Sequence, residues 1–544
     1  MQNSKQKKQV RSLIQSQHVK EAERLLRTLY EQDADDVEIW HLLATVNGML
    51  GEFEDSTEWS HRVIEKHPHF VDAWSNLAAA LQHCGNHEAA LDAWLHVLQY
   101  QPTSAQAQLS VAELFRKLGN KTAALQHYRK AISLRPQAAE LHYNLGTYLQ
   151  ELGDYDQAEA CYLKALEIRP ELIQAYNNLG LVYQEQCRLK DAMQCFNTAI
   201  NSSEARDAHS IKAGQGGASI AEIHRHRAIL WLLQGDFNNG WREYEWRHTD
   251  PMAVTPRFSL PKWDGASLEK KTILVTPEQG VGDEILFASC IPDLQRQAGK
   301  VILECDPRLV PLFHRSFPDI HVRGRKQTNT PPDIKVVSGV DVYISAGSLP
   351  RYFRTSLDEF PRQEFLCPDP GMVRSWHDRY RHVGKGIKVG ISWRGGGAAR
   401  IRRKRSTRLQ QWSSIFTLEG VQFINLQYGD CTVELQQLAE VNGITVWDWP
   451  DSDPLQDLDD FAAKVSALDL VISVDNATVH LAGGLGVPVW ILQTFSPEWR
   501  WLLETEDSYW YPEVRQFRQP SIGDWEMVFE AVRQALIGWQ DIKD

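Results

Sequence analysis

Three short stretches of this 544-residue chain gather residue types able to hold or transfer a charged group. "VDNATVHLAGGLGVP" (474–488) leaves an apolar run through Asp475, Asn476, Thr478 and His480, then passes Gly483, Gly484 and Gly486. A helix starting at 476–478 presents unpaired N–H groups and the positive end of its dipole, which suits an anion, and Thr478 and His480 can add side-chain donors. The glycines let that helix lie close to a sheet or a ligand. A structural alternative stands beside this: Asp475 or Thr478 caps the helix and His480 is a satisfied, half-buried imidazole. "WRGGGAARIRRKRSTR" (393–408) sets seven basic residues, Arg394, Arg400, Arg402, Arg403, Lys404, Arg405 and Arg408, around a glycine-rich turn. Guanidinium groups take phosphate bidentately, so one or two of these cations suit a phosphate contact. The alternative there is a solvated basic loop or a nucleic-acid patch. "TPEQGVGDEILFASCIP" (276–292) places Asp283 after Gly280 and Gly282. Read locally, Asp283 is an acidic helix cap.

Such residues need a frame, and the bulk numbers bound it. The length predicts about three to four domain-sized units. A composition of 43% apolar, 24% charged and 10% aromatic residues is that of a folded protein. A formal charge of −12 argues against a dedicated nucleic-acid binder. Residues 1–12 lack the apolar core of a secretory signal, and no apolar run is long enough to cross a bilayer, so a cytoplasmic protein without a membrane span is expected. Eight dispersed cysteines with no Cys-x-x-Cys pair point to reduced thiols rather than disulfides or zinc.

The first half repeats. Pro68, Pro102, Pro136 and Pro170 are spaced by 34 residues, as are Gly51, Gly85, Gly119 and Gly153, with Ala90, Ala124, Ala158 and Ala192 on a third register. The pattern resembles the tetratricopeptide repeat: paired amphipathic helices, a Gly turn, close Ala packing and a Pro stop, stacked into a solenoid with a concave groove. The expected boundaries are an N-terminal extension over 1–17, repeats over 18–248 with an interrupting loop at 201–217, and a linker at 249–271. The groove reads as a cradle for a protein client; a spacer or dimerisation arm is the alternative.

After the linker, short β-branched runs alternate with amphipathic stretches. "TILVT", "KVILEC" and "DVYIS" form one set, and "IKVGISW", "VQFINLQ", "ITVWD", "LDLVISV" and "VPVWILQ" a second. Two sets predict two parallel-sheet, Rossmann-like lobes, 272–385 and 386–544, whose ligands bind beyond the carboxyl ends of the strands. A closing helix at 524–541 is expected to pack across both lobes.

"SVDNATVHLAGGLGVPVWILQTFSPEWRW", "TPEQGVGDEILFASCIP" and "VGISWRG" together resemble GT-B glycosyltransferases of the lipopolysaccharide heptosyltransferase kind. With the repeats, the chain resembles bacterial tetratricopeptide-repeat glycosyltransferases, some of which modify flagellin. The fold class expected is therefore α + α/β, an α-solenoid followed by a GT-B module. What the resemblance implies is a nucleotide-sugar donor in the second lobe, held by Asp475, Asn476, Thr478 and His480, with Gly483 behind them. It further implies Asp283 as general base, with Gly280 and Gly282 beside the reacting centre. A phosphate-binding cation falls at Arg405 or Lys404, next to Ser406 and on the loop that begins at Arg394. Gln427, at the end of "FINLQ", is a candidate base or ribose contact, and "SPEWRWL" brings Trp499 and Arg500 to close the pocket; both stretches read equally well as packing. The implied reaction is inverting, metal-independent transfer onto a protein Ser or Thr hydroxyl, with no cofactor beyond the donor substrate. Its rivals are a non-catalytic repeat adaptor with a decayed GT-B lobe, and transfer to a cell-envelope saccharide.

Overall fold

The computed structural model describes residues 2–207, 219–249, 260–325, 339–397 and 399–543. It divides into two compact units, Met1–Leu179 and Gly180–Asp544.

The first unit is a stack of helix pairs, each helix 13 or 14 residues long, such as Val37–Leu50 with Phe53–Lys66 and Val71–His83 with His87–Tyr100. Gly51, Gly85, Gly119 and Gly153 all sit in the left-handed region, at φ between 79° and 85°. A Cβ at any of the four would meet nothing within 4 Å, so backbone conformation and not space selects glycine. Ala90, Ala124, Ala158 and Ala192 are fully buried, as close helix approach requires. The stretch expected as an N-terminal extension carries the helix Gln2–Gln15, whose Val10 is buried against Leu26 and Leu29. At the other end the helix Leu189–Asp207 runs through the start of the expected 201–217 loop, and the rest of that loop lies outside the described residues.

The second unit carries the last helical hairpin of the array, Ile220–Leu233 and Phe237–Tyr244, and two parallel sheets. The first sheet has the order β3-β2-β1-β4, from β1 (Thr272–Thr276), β2 (Lys300–Cys305), β3 (His321–Gly324) and β4 (Val342–Ser345). The second is β10-β9-β8-β5-β6-β7, from β5 (Ile387–Ser392), β6 (Val421–Asn425), β7 (Val446–Trp447), β8 (Leu470–Val474), β9 (Val489–Gln493) and β10 (Val514–Arg518). Every residue of β8 and β9 is buried, which is why their sequences run apolar without alternation. The helix Pro370–Arg381 precedes β5 yet packs on the second sheet's helix Leu458–Ser466: Trp376 donates to Asp460 at 2.8 Å and the Tyr380 hydroxyl to the Lys464 carbonyl at 3.0 Å. This helix packs with the second lobe although it precedes that lobe's first strand. The closing helix Trp525–Lys543 also stays with the second lobe: Trp525, Val528, Phe529, Val532 and Leu536 bury into the core of the second sheet with Val389, Ile391 and Trp412. Its apolar stripe fits a single sheet, which corrects the expectation that it bridges both. Among the described residues no helix is long and apolar enough to cross a membrane.

Candidate active site between the two sheets

Parallel strands leave their carboxyl ends on one edge, and from each sheet one short helix starts there. From β1 the chain runs to Gly280, which precedes the helix Val281–Ala288. From β8 it runs to Asn476, which caps the helix Ala477–Gly484. The two helix starts touch: a Cβ on Gly282 would lie 3.0 Å from the His480 ring and 3.3 Å from Ala477 Cα, so a larger residue here would press the two helix starts apart by a few tenths of an ångström. Between them lies a cavity of about 460 Å³ lined by Gly280, Gly282, Asp283, Arg405, Tyr428, Asp475, Asn476, Thr478, His480 and Arg500, with Leu455, Leu458 and Phe461 as an apolar side. That volume and the mix of apolar wall with a few polar groups fit a small-molecule site.

The Ala477–Gly484 helix start is partly filled by its own cap. Asn476 Oδ1 accepts the Thr478 N–H at 3.0 Å, and Asn476 Nδ2 donates to Ser392 Oγ at 2.8 Å and to the Arg394 carbonyl at 3.2 Å. Asp283 accepts the Gly280 N–H at 3.4 Å, so its reading as a local cap is met, and it also pairs with Arg500 from the opposite lobe.

That pair belongs to a half-buried chain of charges. Arg500 reaches Glu498 at 3.4 Å, Glu498 pairs with Arg405, and Arg405 reaches Asp475 at 3.6 Å. Burial opposes ionisation of Glu498, but Arg405, Arg500 and Lys404 outweigh it and hold its carboxyl below the ordinary range. For Asp475 burial wins, and its carboxyl is pushed up despite Arg405. Arg500 is likewise desolvated, yet Asp283 and Glu498 keep it firmly cationic. Among the described residues every cation lining the cleft is paired, Arg308 through Asp306.

His480 is 5% exposed, stacked on Trp501 at 5.5 Å, with Nδ1 2.9 Å from the Tyr511 hydroxyl. Burial, aided by Arg500, drives its pKa down to about 3, so it faces the cleft as a neutral imidazole. In an unfolded chain the same ring titrates near 6.5. The unfolded state therefore binds the proton first, and this group's contribution is complete above about pH 6.5 and is lost as pH falls toward 3. His480→Gln is expected to flatten that acid limb in a melting-temperature series across pH 4–7. An unaltered slope would contradict the neutral, buried assignment. His226, held near 3 by burial, leaves part of the slope in place.

Other expected site residues stand elsewhere. Arg394 turns to the Asp430 carbonyl at 3.1 Å and to Glu434 at 3.3 Å, outside the cleft. Ser406 accepts the Gly395 N–H at 3.0 Å and donates to the Arg402 carbonyl at 2.6 Å, bracing the loop. Gln427 Oε1 takes the N–H groups of Trp393 and Arg394 at 3.0 and 2.7 Å and the Ser392 hydroxyl at 3.2 Å; its acceptor is spent on the protein, not on a nucleotide. Gly483 backs onto Tyr511, whose ring would lie 2.6 Å from an added Cβ, so it serves packing. The helix Ala399–Arg405 points Lys404 to Glu185 at 2.5 Å and to the Ser496 carbonyl at 3.2 Å, while Arg405 joins the ionic chain.

Lys404 lines a second cavity, of about 930 Å³, bounded by repeat helices at Gln184 and His226, by Glu278 after β1, by Gln493 at the end of β9 and by Thr494 and Ser496 to Arg500 beyond it. Arg405, Asp475 and Arg500 line both cavities, so the ionic chain is the wall between them. Sequence reasoning missed Glu498, although it stands within the quoted "SPEWRWL", and Tyr511, which fixes His480. Among the described residues no group of three or more His, Cys, Asp or Glu is placed to hold a metal ion.

Comparison with known proteins bears mainly on the repeats. Two tetratricopeptide-repeat family models match residues 112–153 and 137–205. Protein FlbA of Caulobacter vibrioides is 35% identical over 330 residues, covering 58% of this chain; the chain spans about half of that relative's length, 55%. Among solved structures, MamA from Desulfovibrio magneticus RS-1 is 17% identical over 32% of this chain and 98% of its own, at a TM-score of 0.31. YrrB, described as a repeat protein with an unusual peptide-binding site, is 17% identical over 33% of this chain and 92% of its own, at 0.29. By the two family models and its stacked helix pairs, the helical array is a tetratricopeptide-repeat solenoid, a scaffold suited to binding protein, and it precedes an α/β module of two parallel sheets.

Proposed function

We propose that the chain is an inverting glycosyltransferase that moves a sugar from a nucleotide-sugar onto a Ser or Thr hydroxyl of a polypeptide client, such as a flagellin, delivered by the repeats. One observation carries the reading: a carboxylate on one lobe, Asp283, and a helix start on the other, Asn476 to Thr478, meet across a ligand-sized cleft at the strand ends. The donor's sugar and diphosphate lie against that helix start, and Arg405 and Arg500 offset the charge that grows on the leaving nucleoside diphosphate. Asp283, released from Arg500 as the phosphates arrive, accepts the proton of the attacking hydroxyl. The hydroxyl oxygen bonds to the anomeric carbon on the face opposite the departing diphosphate, so the configuration inverts.

The test is incubation of the full chain with a polypeptide client and a panel of nucleotide-sugars, read by intact mass. A mass increase of one sugar on the client with release of nucleoside diphosphate is expected. A second reading, a repeat adaptor whose cleft binds no donor, is favoured by the paired state of the cleft arginines. Absence of any thermal shift with nucleoside diphosphates, together with absence of transfer, would select it. Transfer onto a glycan with none onto protein would move the acceptor to the saccharide class.

A further inference from the structure

Glu498 is the member of the ionic chain that both arginines share. Of the two arginines, Asp283 pairs with Arg500 and Asp475 with Arg405, while the two carboxylate oxygens of Glu498 are divided between Arg405 and Arg500. Its side chain is also the least enclosed of the three, 32% exposed against 19% for Asp283 and 11% for Asp475. Asp283 also accepts the Gly280 N–H at its own helix start, and Asp475 follows a fully buried strand. Glu498 lies on the connection after β9 and faces the larger cavity, not the cleft. It can leave the arginines by turning into that cavity, on the side where Lys404 already acts on its charge.

We infer that Arg405 and Arg500 form a two-guanidinium site for one phosphoryl group, and that Glu498 occupies it in the ligand-free protein as a built-in competitor. A carboxylate that divides its oxygens between two guanidiniums presents the geometry of two oxygens on one phosphorus, and the dianion makes the stronger charge-assisted bonds. The incoming group exchanges with Glu498 without leaving either half-buried cation unpaired, which is the costly alternative. Apparent affinity is then set by the fraction of molecules in which Glu498 has swung away. The inference rests on the reading of the cleft as a donor site and extends it to the residue that governs occupancy.

Calorimetric titration of the full chain with inorganic pyrophosphate tests it. Glu498→Gln removes the competing charge and keeps the shape, and is expected to lower the dissociation constant roughly tenfold or more, the scale of one charge-assisted hydrogen bond. Adding Arg500→Gln should return affinity to the wild-type level or below. Glu498→Asp, too short to span both arginines, should tighten binding a fewfold, and it carries the test if the Gln variant does not fold. A folded Gln or Asp variant that binds pyrophosphate no tighter than wild type overturns the inference. Tightening without sugar transfer would leave it standing and remove the glycosyltransferase reading; transfer without tightening would do the reverse.

Discussion

Asp283→Asn should lower sugar transfer about 10²- to 10⁴-fold, the range of a lost general base, while affinity for the nucleoside diphosphate stays within a fewfold of wild type. The two effects part because Asp283 has two jobs in the structure. As a cap it accepts the Gly280 N–H at 3.4 Å, a role an Asn side chain can fill. As a carboxylate it pairs with Arg500, and Asn cannot neutralise that cation. Loss of the pair leaves Arg500 with Glu498 at 3.4 Å and an opening for phosphate, so donor binding holds or improves. Transfer rate by mass spectrometry, with donor affinity by calorimetry on the same preparation, makes the separation visible. Parallel loss of transfer, donor binding and melting temperature would assign Asp283 to structure alone. Unchanged transfer would move the base elsewhere.

Particular residues show which parts of this site sequence could reach. A 34-residue register is carried by glycines that need a left-handed backbone, and such a need is written locally; the next position in register is Cys187, which adopts φ 56° without being glycine. Buried strands are equally local, since β8 and β9 are enclosed on both faces and must be apolar throughout. The meeting of Gly282 with His480 was foreshadowed by glycine at a helix start, although nothing local names the partner. The ionic chain joins positions 283, 405, 475, 498 and 500, and its pairings follow from how two lobes close, which no window of sequence contains. Neighbouring residues on a helix point about 100° apart, so Lys404 lines the larger cavity alone while Arg405 also reaches the cleft, and their order alone could not say which reaches phosphate. Gln427 misled for a related reason: a polar residue at a strand end suits a ligand or a loop brace equally, and three donors from Ser392, Trp393 and Arg394 claim it.

The hairpin Ile220–Tyr244 has the repeat pattern, yet its removal is expected to cost the α/β module its fold. Trp241 is 1% exposed and donates its indole N–H to the Arg354 carbonyl at 2.8 Å. It packs edge-on to Trp499 at 5.2 Å and to Trp510 at 6.4 Å, and Arg247, just beyond the hairpin, pairs with Glu278 after β1. Phe237, Trp241 and Tyr244 belong to the same core as Leu286, Leu349 and Tyr511. Trp241→Ala opens a cavity against the loop that bears Glu498 and Arg500, and leaves the buried Arg354 carbonyl without its donor. A loss of about 3–5 kcal/mol is expected for truncating a buried Trp in this way. Urea unfolding followed by tryptophan fluorescence and far-ultraviolet dichroism should place that loss in the transition of Gly180–Asp544 and leave the transition of Met1–Leu179 in place. By the same argument a fragment beginning at Glu171 is expected to fold and to bind pyrophosphate, whereas one beginning at Thr249, which leaves the Trp499 and Trp510 faces bare, is expected to aggregate. A soluble, cooperatively melting 249–544 fragment, or a Trp241→Ala variant as stable as wild type, would mean that the hairpin is a detachable repeat and that the site loop is held by the sheets alone.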